Sequence, residues 1–252
     1  MFKKALAPTT ISTYLSAISY VHKMLSLPDG TRSFLVDKLI SGTYRLAKCT
    51  LDSRLPITVP VLNKLLIHLP MLTSQYDCLL YKALFLTAFS AWARIGELVM
   101  TKNVPLDSLI QLQDITVCSS QGIAQEIEIR FRKFKHNVKG QAKVIKFSKG
   151  PANESAVEAV VQYLKVRPSS NIQTPLFCLC LGKPTTRSDF DRVLHQGLKA
   201  CGLDSSKYKG HSFRIGAATF ASEQGLSDSQ IRSLGRWKSN AFYKYIRSNG
   251  CA

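Results

Sequence analysis

Residues Cys78–Phe89 are apolar on nearly every side, and within five positions the chain runs into Arg94. A helix that is apolar all round must be enclosed by other elements. This segment therefore predicts a central helix with the rest of the fold wrapped around it. The guanidinium at its end stays charged, and burying such a charge alone costs several kcal/mol. A charge at the edge of the core needs a partner or a purpose. Glu97, one helical turn later in Ala93-Arg94-Ile95-Gly96-Glu97-Leu98, is the candidate support.

Around that helix the apolar spacing predicts further helices. Pro8-Thr9-Thr10 opens one whose apolar positions Ile11, Leu15, Ile18, Val21 and Leu25 recur at helical spacing, up to a stop at Pro28-Asp29-Gly30. A second covers Phe34–Leu46. Two short helices make half of a small bundle, so their apolar faces are expected to lack partners here, either docking elsewhere or meeting residues upstream of Met1. Arg54–Thr58 reads as a linker ending in a Thr58 cap, with a helix through Leu62–Leu69. Between Gln113 and Ser148 the period changes to two, predicting antiparallel strands at Asp114–Cys118, Glu126–Arg132 and Lys143–Phe147, with a loop at His136–Gly140. Helices resume at Glu154–Val166, Ser188–Cys201, His211–Gln224 and Asp228–Leu234. Gly225 suits a helix stop, and Ser227 with Gln230 forms a capping box flanked by Leu226 and Ile231 as a hydrophobic staple. The fold class read from this pattern is mainly α with a small antiparallel β-sheet. A partial helical domain over 1–51 precedes a main domain over 52–252.

Charge narrows the partners. Thirty-four Lys and Arg face sixteen Asp and Glu, a net +18, in a chain of globular composition. A folded protein this basic meets a polyanion, nucleic acid first. From Arg130 to Lys149 there are eight basic residues and no acidic one. Within this run Arg130, Arg132, Lys133, Lys139 and Lys143 are candidate phosphate contacts, as are Arg236 and Lys238 further on. Seven cysteines, an odd number with only Cys178 and Cys180 close together, read as reduced, mostly buried thiols of an intracellular protein. No apolar run reaches eighteen residues and no signal peptide opens the chain. No carboxylate cluster accompanies the basic motifs, so neither a metal site nor a cofactor is expected.

The chemistry concentrates at the C-terminal end, in Gly210-His211-Ser212-Phe213-Arg214, Gly235-Arg236-Trp237 and Tyr243-Lys244-Tyr245-Ile246-Arg247. His211 and Arg214, three apart, share one helix face. The small residues Gly216-Ala217-Ala218 behind them predict close packing, with the helix N-terminus turned outward, where phosphate is favoured. Arginine donates two parallel hydrogen bonds to phosphate, the Trp237 indole supplies an N–H, and a tyrosine supplies a nucleophile once its phenolate is stabilised. Together such groups can grip and attack a phosphodiester.

The order Arg94, Lys135, His211, Arg214, Trp237, Tyr245 resembles the catalytic series of the tyrosine recombinases, the phage-integrase family. The blocks around Arg94 and His211 are similar to eukaryotic mobile-element recombinases of the DIRS/Ngaro or Crypton type. The resemblance implies a catalytic recombinase domain behind a shortened core-binding domain. It implies site-specific DNA cleavage and rejoining through a 3′-phosphotyrosyl link, four protomers on double-stranded DNA, and a nuclear setting. It assigns the nucleophile to Tyr245, because the family's tyrosine lies about nine residues past its His or Trp; Tyr243 is the alternative. It assigns the leaving-group acid to a hairpin lysine, Lys135, with Lys133 the alternative. Three other readings compete: a DNA-binding module or inactive remnant without strand transfer, using Ala221, Gly225 and Ile231 as a helix-turn-helix; a type IB topoisomerase; and a basic RNA-binding protein.

Overall fold

The computed structural model describes residues 6–47, 52–102, 104–134, 140–149, 155–168 and 171–247. The chain divides into two compact units, Met1–Ser53 and Arg54–Ala252. In the first, α1 (Pro8–Met24) starts on a proline and α2 (Phe34–Leu46) on Ser33, whose hydroxyl accepts from the Val36 N–H. Asp29 organises the corner between them. It accepts from the Ser19 hydroxyl at 2.5 Å and from the Thr31 hydroxyl at 2.6 Å, and these bonds hold its carboxyl down at about 2. Tyr20, Met24, Phe34, Leu35 and Leu39 are exposed.

The second unit is built around α4 (Gln75–Ser90), whose residues Leu80 to Ala88 are buried almost without interruption. It packs against α3 (Val59–Leu72), α6 (Ala156–Val166) and α8 (His211–Glu223), while α3 packs on α7 (Arg187–Ala200). Phe85 lies 5.4 Å from both Phe190 and Phe213, joining three helices through ring contacts. Thr58 and Pro60 start α3, and the three-residue extension of α4 ahead of the apolar stretch begins at a Ser74 cap.

The strands β1 (Ile115–Ser120), β2 (Ile123–Phe131) and β3 (Lys143–Ser148) form an antiparallel sheet in sequence order, with Ile129 facing Ile115 and Ile145. Ile127, Ile129 and Phe131 alternate inward along β2, burying one face of the sheet. A tight turn at Gln121 and Gly122, both at positive φ, closes the first hairpin. Asp114, expected to open a strand, instead sits in a short helical turn, where it accepts from the Gln111 N–H and pairs with Arg132. Residues 136–139 of the expected loop lie outside the described residues.

The small residues of α8 have a specific cause. The segment after Arg54 crosses this helix, with the Leu55 N–H donating to the Lys207 carbonyl and the Ile57 N–H to the Ser212 carbonyl, both at 2.9 Å. A Cβ on Gly216 would lie 1.8 Å from the Ile57 carbonyl oxygen, so only glycine permits the crossing. Among the described cysteines Cys178 is buried, Cys180 is exposed and the others are half-buried, so these thiols are less enclosed than expected. No described helix is long and apolar enough to cross a membrane.

Candidate functional site

The site forms where α4 ends. Its last turn breaks at Trp92, which takes φ 52°, and Arg94 begins the short helix α5 (Ile95–Leu98). Such a backbone is unusual for a bulky residue and points to a constraint. Here it frees the Trp92 carbonyl, which accepts from Arg214 Nη1 and, at 3.2 Å, from Arg236 Nη2. Glu97 is buried and holds two cations. Its Oε2 accepts from the Arg94 backbone N–H and from Arg236 Nη2, both at 2.8 Å, and its Oε1 accepts from Arg94 Nη1 at 3.1 Å. The support expected of Glu97 for Arg94 is thus present, and a second guanidinium shares it.

Arg214 comes from the first turn of α8 and is 1% exposed. Its Nη2 donates to the Gly235 carbonyl at 2.8 Å, and its Nε has no protein partner. Burial, reinforced by Arg94 and Arg236 nearby, pushes its guanidinium below arginine's ordinary range. Burial also pushes Arg236 down, opposed by the Glu97 carboxylate. Three guanidiniums against one carboxylate leave two positive charges uncompensated at this point of the described structure. An environment of that kind favours an arriving anion.

The rings complete the cluster. α9 (Asp228–Leu234) ends at Gly235, and the chain leads through Trp237 into a 3₁₀ turn at Asn240–Tyr245. Trp237 lies 4.6 Å over the Arg214 guanidinium, and Tyr245 lies 4.8 Å from both Trp237 and His211. A Cβ on Gly235 would fall 1.6 Å from the Trp237 ring, so this glycine makes the room that ring occupies. Thr219 pins the end of the turn, donating to the Tyr245 carbonyl and accepting from the Arg247 N–H at 3.0 Å. Tyr243 is elsewhere: its ring stacks on Phe242, and its hydroxyl donates to Asp228, which raises its pKa.

Arg94, Glu97, His211, Arg214, Trp237 and Tyr245 therefore converge, drawn from three separate stretches of chain. Lys135 and Lys139 lie outside the described residues. Lys133 is exposed, its ammonium 2.5 Å from Asp107. Arg130 and Lys238 are exposed, and Lys143 reaches Ser233 at 3.4 Å. Two expected surface contacts are corrected. Arg132 is tied to buried Asp114 at 2.8 Å and reaches the Leu109 carbonyl, so it braces the sheet. Arg236 is inside the protein, its side chain 1% exposed, because Glu97 and the Phe131 face, 3.5 Å away, draw it inward. The sequence does carry a signal for Arg236: Tyr245 stands nine residues after it and eight after Trp237. Cys118, Glu126 and Glu128 lie close enough together to hold a cation, but Lys146 already pairs with both carboxylates.

The family model described as the phage integrase family matches residues 71–249. No curated protein matches the chain. Among solved structures, the fold resembles the Tn1549 transposon integrase in complex with circular intermediate DNA, at 15% identity and TM-score 0.59, over 97% of this chain and 76% of that one. It resembles a lambda integrase dimer bound to a COC′ core site at 15% identity and TM-score 0.57, over 99% and 84%. It also resembles the XerH site-specific recombinase bound to palindromic difH substrate in a post-cleavage complex, at 16% identity and TM-score 0.55. That match covers 79% of this chain and half of XerH.

Proposed function

The chain belongs to the phage integrase family of tyrosine recombinases, and we propose that it cuts and rejoins double-stranded DNA site-specifically through a 3′-phosphotyrosyl link on Tyr245. The observation that carries this reading is the uncompensated charge beside the phenol: the Arg214 guanidinium, with Arg94 nearby, lies 5.7 Å from the Tyr245 ring that His211 and Trp237 flank. In the proposed step the phenol oxygen attacks phosphorus and the bond to the 5′ oxygen breaks. Arg94, Arg214, His211 and Trp237 hold the non-bridging oxygens, where each preorganised donor is worth about 3 kcal/mol in the transition state. His211 takes the phenol proton, and Lys135, with Lys133 as the alternative, supplies one to the departing 5′ oxygen. A 5′-OH of the partner strand then attacks the phosphotyrosine, so rejoining needs no ATP. Arg130, Lys143 and Lys238 bind flanking phosphates.

The blocks around Arg94 and His211 support a eukaryotic mobile-element origin of the DIRS/Ngaro or Crypton type, hence action in the nucleus and DNA integration. On this reading the 1–51 region is part of a core-binding domain, and four copies assemble on two duplexes.

The test uses labelled, nicked duplexes with randomised sequence around the nick, incubated with protein in EDTA. A denaturation-resistant adduct that disappears in Tyr245→Phe and persists in Tyr243→Phe is the expected result. The reverse pattern moves the nucleophile to Tyr243. Tight binding with no adduct in any variant leaves a DNA-binding protein without strand transfer.

A further inference from the structure

Arg236 is a long cation in a costly place. Its backbone takes φ 56°, a region that bulky residues rarely adopt. Its side chain is 1% exposed and its guanidinium lies 3.5 Å over Phe131 and 5.8 Å over Phe134. Nη2 serves both Glu97 and the Trp92 carbonyl, while Nε and Nη1 are buried without a protein partner. If packing alone were at stake, an apolar side chain of similar volume would fill this space without burying a charge.

What distinguishes Arg236 is what it shares. Glu97 is also the carboxylate of Arg94, and the Trp92 carbonyl also receives Arg214. Without Arg236, Glu97 would neutralise Arg94 in full and the site would keep one net positive charge instead of two. We propose that Arg236 is a charge-setting residue of the phosphate site. By taking part of Glu97, it leaves Arg94 and Arg214 electropositive toward the scissile phosphate, and through Glu97 and Trp92 it fixes where both point. This rests on the phosphodiester reading above. Arg236 acts through these neighbours, so it is a positioning residue and not one that touches the reacting atoms. The step it serves is balanced: the Tyr245 oxygen–phosphorus bond forms, the bond to the 5′ oxygen breaks, and the proton lost by the phenol is matched by one gained by the 5′ oxygen. The added negative charge on the five-coordinate phosphorus is what the second net cation stabilises.

The charge can be removed from either side. Wild type, Arg236→Gln, Arg236→Lys, Glu97→Gln and the double variant Arg236→Gln/Glu97→Gln are compared on the duplex that forms the adduct. Each is tested with an ordinary scissile phosphate and with a methylphosphonate, which carries no charge. Arg236→Gln should slow adduct formation about tenfold or more on phosphate and distinctly less on methylphosphonate. Arg236→Lys should keep the phosphate preference, and the loss from Arg236→Gln should shrink when Glu97 is already neutral. Equal losses on both substrates, additive with Glu97→Gln, would overturn the proposal in favour of a packing role. Should Arg236→Gln not fold, Arg236→Lys decides by the same ratio: a preserved phosphate preference supports the proposal, and a collapsed one despite the retained charge overturns it. Should wild type bind the library but form no adduct, the strand-transfer reading fails by itself. The phosphate-to-methylphosphonate affinity ratio across the tightest-binding duplex then decides the charge role, a ratio unchanged by Arg236→Gln counting against it.

Discussion

Gly235 shows how one residue governs the geometry of the others. The Trp237 ring occupies the space a side chain would take there, and from that position it meets both Arg214 and Tyr245. The three atoms nearest to a methyl group at 235 all belong to the Trp237 ring, a side chain that can shift to make room. Gly235→Ala is therefore expected to fold with little change in melting temperature. It should slow adduct formation about tenfold to a hundredfold, since misplacement by 1 Å has that effect in preorganised sites. An adduct rate that tracks wild type would show that Trp237 is not needed where the structure puts it. His211, Arg214 and Tyr245 are legible as residue types at helical and short-range spacings. Trp92 and the inward turn of Arg236 are not, because both depend on left-handed backbone that no side-chain pattern announces.

Elements are held to one another by close approaches and caps. The linker at Ile57 runs against α8 at Gly216, where an added Cβ meets backbone and neither side can give cheaply. Gly216→Ala should therefore destabilise the second unit by about 1–3 kcal/mol or more, read as a lower thermal midpoint; an unchanged midpoint would mean the crossing can loosen without cost. In the first unit the carboxyl of Asp29 is held down to about 2 by the Ser19 and Thr31 hydroxyls. A depressed carboxyl stabilises above the unfolded value, about 3.9, and that contribution is lost as pH falls through the folded value. The corner between α1 and α2 should thus be constant above about pH 4 and loosen between about 4 and about 2. The amide resonance of Thr31 reports it, and Asp29→Asn should remove this acid limb. Helix and strand types at this scale follow from periodicity, and the differences at the ends come from caps such as Ser74 and from the Asp114–Arg132 pair. That pair joins residues eighteen positions apart, beyond the reach of any local pattern.

At the scale of the whole molecule the proposed association with DNA rests on the net charge of +18. Affinity for duplex DNA should fall steeply with salt, and replacing Arg130, Lys143 or Lys238 by alanine should each reduce the slope of log affinity against log salt by about one. Arg132→Ala should leave that slope nearly unchanged and lower stability instead, because its guanidinium is committed to Asp114. A slope insensitive to the first three replacements would move the DNA-binding surface elsewhere.

The order of elements, the central apolar helix, the basic character and the residue types of the site are properties of the sequence alone. Each depends on interactions within a few positions or on composition. Which cations face inward was decided by tertiary structure. Arg130, Arg132 and Arg236 look alike along the chain, yet one is exposed, one is clasped by Asp114 and one is buried on Glu97 and Phe131. The same holds for Tyr243 and Tyr245, two positions apart: one is bonded to Asp228, while the other lies against His211 and Trp237. A carboxylate or ring brought in from a distant part of the chain makes that choice, because the cost of burying a charge depends on what the fold places beside it.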